Sequence, residues 1–146
     1  MKEYLLNKLE EEKEIVESIL DIDNRVQGTN IGYNQVYNLI LNTKEITNNV
    51  DKKYILITDG ELSTIIYMLI NYTNNIMCIN INHMTLGFNM WLIKKLNEYG
   101  IDIPLDKDNN YDIYDKYNNI LIAGFEEFVE GTADMFDNKD ILKIYL

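Results

Sequence analysis

Three short segments collect side chains that could hold a cation or move a proton. Thr58-Asp59-Gly60-Glu61 closes one aliphatic run, Asn80-Ile81-Asn82-His83 a second and Gly124-Phe125-Glu126-Glu127 a third. Together they offer carboxylates, amides, a hydroxyl and one imidazole. Oxygen ligands of this kind suit Mg²⁺ or Ca²⁺. A closed zinc site needs several nitrogen or sulfur ligands, and the chain has one histidine, His83, and one cysteine, Cys78. His83 reads either as a general base or as a capping or surface residue, since no nucleophile or orienting partner stands out beside it. Glu126 and Glu130 share a helix face at i, i+4, as an acid/base pair or as an ordinary solvated face. Cys78 lies in Ile76-Met77-Cys78-Ile79 and reads as a buried structural thiol. Met84, Phe88, Met90 and Trp91 read as core, or as the lining of a ligand pocket. Gly28-Thr29-Asn30-Ile31-Gly32 has two glycines but no strand before it, so neither the Walker nor the dinucleotide fingerprint fits.

These segments depend on the elements around them. Leu5, Leu9, Val16, Ile19 and Leu20 recur at near-helical spacing and predict an amphipathic helix over residues 2–20, broken by polar residues 21–28. A second helix is expected over 32–45, with Asn30 as its N-cap. Tyr54-Ile55-Leu56-Ile57-Thr58 predicts a strand, and Leu62, Ile65, Ile66 and Leu69 the helix after it. Strands follow over 76–81, 120–124 and 141–146, with helices over 89–99 and 126–136. Gly100 stands where a left-handed residue ends a helix. Strands alternating with helices argue for βαβ crossovers and a mostly parallel sheet of about four strands. Strands without polar alternation argue that both sheet faces are covered. The expected fold is therefore a three-layer, Rossmann-like α/β fold preceded by an N-terminal amphipathic helix. Ligands of such sheets sit beyond the carboxyl ends of the strands, where the three segments lie.

Bulk properties bound the function. One domain fits 146 residues, of which 47% are hydrophobic. The formal net charge of −11 repels phosphate backbones, so direct nucleic-acid binding is not expected; it serves solubility or docks a basic partner. A single cysteine rules out a disulfide within the chain. No apolar run approaches the ~20 residues needed to cross a bilayer. The charged start, Met1-Lys2-Glu3-Tyr4, does not read as a signal sequence, and the cytoplasm is the expected compartment.

Gln27-Gly28-Thr29-Asn30-Ile31-Gly32, with Tyr54 to Glu61 closing a strand some thirty residues later, resembles the later two-thirds of a von Willebrand factor A domain. The branch at the C-terminus of Ro-type (TROVE) proteins is similar in addition through Ile122-Ala123-Gly124-Phe125. The resemblance divides the chain into a helical segment, 1–25, and a von Willebrand A-like region, 26–146. It implies a metal-ion-dependent adhesion site in which Thr29 and Asp59 hold Mg²⁺, directly or through water, and a protein partner supplies a carboxylate. Asn30, Glu61, Asn82, His83 and Glu126 stand around that rim as ligand-binding candidates.

The family's central first strand and the metal loop after it, D-x-S-x-S, are absent. Asp21-Ile22-Asp23-Asn24 has no serines and follows no strand. Weak metal binding is therefore expected. So is an exposed strand edge at 54–58, covered by another chain, by a twin copy or by the N-terminal helix. Asp59 reads alternatively as a simple cap for the helix near Leu62. Three functions follow: a non-catalytic protein-interaction module, a small Rossmann-like enzyme or nucleotide- or small-molecule-binding protein, and an acidic inhibitor or decoy of phage type.

Overall fold

The computed structural model describes residues 1–46, 51–80, 86–103, 105–106 and 116–146. Three helices come first: α1 (Lys2–Glu11), α2 (Lys13–Gln27) and α3 (Tyr33–Asn42). Each buries a pair of apolar residues four apart, Leu5 and Leu9, Val16 and Leu20, Val36 and Ile40. This spacing puts both members of a pair on one helix face.

The expected single helix over 2–20 is thus two. The backbone leaves helical geometry at Glu12 (φ −110°, ψ 27°), whose side chain is drawn to Lys95. The expected break over 21–28 is instead helix as far as Gln27. Tertiary partners override the polar composition there, because Leu20 is buried and Asp23 bonds to another helix. The stop comes at Gly28 (φ 68°), a left-handed residue. Gly32, not Asn30, is the N-cap of α3, and no side chain caps that helix.

The α/β unit runs β1 (Tyr54–Thr58), α4 (Leu62–Asn71), β2 (Ile76–Asn80), α5 (Gly87–Tyr99), β3 (Leu105–Asp106), β4 (Asn119–Gly124), α6 (Glu126–Ala133) and β5 (Asp140–Tyr145). All strand pairings are parallel, in the order β3-β2-β1-β4-β5. Four strands carry the sheet and the two-residue β3 extends it. This is the three-layer, Rossmann-like arrangement the alternating pattern implies.

β1 is not the exposed edge expected for 54–58. It pairs with β2 on one side and with β4 on the other. Tyr54 to Ile57 form an unbroken apolar run, and a strand buried on both faces gains most at the centre. No place stands open beside it for a missing first strand.

Side-chain alternation splits the core in two. Tyr54, Leu56, Leu121 and Ala123 point to the face covered by α1 to α5. Ile55, Ile120 and Ile122 point to the opposite face, where Val129 and Ala133 of α6 meet them. Among the described residues no helix is long and apolar enough to cross a membrane.

Candidate functional site

The chain winds outward from β1 to β3 and then returns to β4, so the strand order reverses between β1 and β4. Doubly wound sheets bind ligands in the crevice at such a point. Here Asp59 occupies it. The Asp59 backbone N–H extends the ladder to the Ala123 carbonyl at 3.2 Å. One carboxylate oxygen of Asp59 accepts the Glu61 N–H at 3.0 Å and the other accepts the Phe125 N–H at 3.2 Å, across the crevice. Asp59 thus ties β1, the turn into α4 and the start of α6 together. Its reading as a helix cap is half right: it holds the turn, while the N-cap of α4 is Glu61 and carries no side-chain cap bond.

Gly124 permits this close approach. A Cβ there would stand 2.6 Å from a carboxylate oxygen of Asp59, and its φ of 153° also disfavours a side chain. With a carboxylate already seated at the α6 N-terminus, and Glu126 and Glu127 in its first turn, a phosphate finds no welcome there.

Beside this bridge, on the helix-covered face, lies a cavity of 510 Å³. Its walls come from the end of α2 and the following loop, α3, the β1–α4 turn and the start of α5. Asp23, Asp59 and Glu61 supply carboxylates; Asn24, Gln27, Gln35 and Asn89 supply amides; Thr29 and Ser63 supply hydroxyls. Leu20, Leu39, Leu62, Leu86 and Phe88 supply apolar surface, and among the described residues no lysine or arginine lines it.

Several of these polar groups hold the walls themselves. Asp23 accepts the Gly87 and Phe88 N–H groups, both at 2.9 Å, and so caps α5 from α2. A Cβ on Gly87 would come within 2.8 Å of Ile19, so this contact too is close-fitted. The Asn24 carbonyl oxygen accepts the Thr29 hydroxyl at 2.8 Å and the Ile31 N–H at 2.9 Å, while its amide donates to the Ile31 carbonyl. The loop 28–32 is thereby folded against the end of α2.

Of the residues singled out in the sequence, Thr29, Asp59 and Glu61 meet in this cavity. Asn30 is exposed and does not line it. Glu126 is exposed on the helix that covers the other face. Asn82 and His83 lie outside the described residues. Glu130, set beside Glu126 as a carboxylate pair, instead accepts bonds from Tyr145 and Lys143. The Tyr145 hydroxyl, and Lys143 after it, hold its carboxyl below the usual range. Cys78 is buried, as its apolar surroundings suggested. Asp23 and Asn24 were visible in the sequence only as a poor metal loop; nothing in a linear reading links Asp23 to Gly87.

For Mg²⁺, the donor chemistry is right but the donors are engaged. The Thr29 hydroxyl donates to Asn24, and both Asp59 oxygens accept backbone N–H groups. Among the described residues no group of three or more carboxylate, histidine or cysteine side chains is placed to hold a metal ion. No protein-family model, curated protein or solved structure matches the chain.

Proposed function

We propose that the protein is a non-catalytic binding module whose cavity, between the helical layer and the carboxyl end of β1, takes a small, polar, phosphate-free ligand. The supporting observation is the lining: carboxylates, amides and hydroxyls converge over an apolar floor, without a basic side chain among the described residues. The volume of 510 Å³ is within the range of small-molecule sites. Three carboxylates without a counter-charge repel phosphates and favour neutral or cationic groups. Among the described residues no nucleophile–base pair is part of the arrangement, and in this reading the module holds its ligand without transforming it.

The shared cavity of Thr29 and Asp59 favours a second reading, a Mg²⁺-assisted protein-binding module resembling a von Willebrand A domain. In that reading Thr29 and Asp59 exchange their present partners for the ion. One amide-resolved NMR titration tests both. Neutral and cationic fragments are expected to shift Thr29, Gly60, Glu61 and Ser63, and to lose these shifts in Ser63→Phe. Fragment shifts only elsewhere would remove the first reading. Silence at Thr29 and Asp59 up to millimolar Mg²⁺ would remove the second.

A further inference from the structure

The outer face of α2 is unlike an ordinary solvated helix. Val16 and Leu20 are buried on the inner face of that helix, while the outer face carries Ile15, Ile19, Ile22 and Val26. Their spacing of four, three and four residues is that of a coiled-coil seam. Ile15, Ile22 and Val26 are 55%, 60% and 75% exposed, and Ile19 is partly buried against α5. Single exposed aliphatic residues are commonplace, but four in register form a continuous strip about 16 Å long at the α-helical rise. Met90, one turn beyond the Gly87 contact on α5, is exposed as well.

Charge selects the occupant. On its open side the strip is flanked by Ser18 and by Arg25, the only arginine of the chain, and beyond them by Glu14 and Asp21, all four exposed. The whole molecule carries −11. A second copy would bring the same acidic border and the same net charge to the seam. An anionic bilayer is repelled for the same reason. A helix with apolar residues at heptad spacing and lysine or arginine beside them meets both features, with its own acidic residue opposite Arg25.

We infer that the α2 strip is a docking face for a basic amphipathic helix of a partner protein. The inference is independent of the cavity ligand. The probe is a fluorescent 21-residue peptide with leucine at the a and d positions and lysine at e and g of three heptads, titrated by anisotropy. A scrambled peptide of equal composition, and one with glutamate for lysine, serve as controls. The full chain is expected to bind the first peptide at least about tenfold more tightly than either control. Ile22→Glu and Val26→Glu, both at exposed positions, are each expected to weaken it about tenfold without moving the thermal midpoint. Equal binding of the scrambled peptide would reduce the effect to net charge and overturn the inference. So would no binding, a dimer of the free protein that Ile22→Glu dissolves, or adsorption to phosphatidylcholine vesicles that the same substitution abolishes.

Discussion

Asp59 shows how a residue can be legible in a sequence while its duty is not. A carboxylate at the end of an aliphatic run, before a glycine, marks the strand-to-helix turn where ligands gather. That much follows from Thr58-Asp59-Gly60 alone. Its second bond, to Phe125, spans 66 positions, and only the fold supplies it. Asp23 is the clearer case, because its two bonds reach across 64 and 65 positions to a helix with no cap of its own. Gly124 gives the sharpest test at this scale. Alanine there meets the Asp59 carboxylate and adopts a backbone conformation foreign to it, at a cost of about 2 kcal/mol or more. Urea unfolding should show that loss for Gly124→Ala. Asp59→Ala, which opens room for the methyl group, should make the second substitution cheaper in a double-mutant cycle.

At the scale of elements, the strands and helices of the α/β unit were readable because their apolar residues repeat with the right periods. The helical layer was only half readable. The break at Glu12 has no glycine or proline to announce it and is tied to a partner on α5. Lys95, with a side chain only 7% exposed, lies 2.5 Å from Glu12 and 3.1 Å from Glu98. Burial pushes the Glu12 carboxyl up, but the hydrogen bond and charge of Lys95 outweigh it and leave the group below its ordinary value. Burial pulls Lys95 down, and its bonds to Glu12 and Glu98 carry it above the ordinary lysine value. The signs are opposite in pH. Glu12 binds protons more readily unfolded, so its stabilisation is full above the unfolded carboxyl pKa and vanishes as pH falls through the lower folded one. That of Lys95 is full below the unfolded lysine pKa and is lost as pH rises through the higher folded one. Lys95→Met should cost about 2 kcal/mol at neutral pH and flatten both limbs of stability against pH, measured by denaturant unfolding. Unchanged limbs would mean that the pair is not what ties α2 to α5.

For the whole molecule, composition and alternation sufficed for a parallel sheet with both faces covered, while strand order did not follow from them. The segment 54–58 was expected at an edge because the central first strand of the family it resembles is missing from the sequence. The chain instead makes it the centre, by returning from β3 to lay β4 along its other side. Hydrogen exchange tests this placement: amides of residues 55–58 should exchange more slowly than those of β5, which pairs on one side only. The same return has a kinetic meaning. β1 and β4 pair in register across 65 positions, Ile55 with Ile120 and Thr58 with Ala123. The middle of the sheet therefore cannot exist until a long loop has closed, and closure entropy must be met before the pairing rewards it. Helices α1 to α4 can pack against near neighbours in sequence beforehand, so the arrival of β4 is the expected rate-limiting event of folding. Substitutions at the β1–β4 seam, such as Ile122→Val, should slow refolding more than they speed unfolding, whereas those in α1 should act mainly on the reverse step.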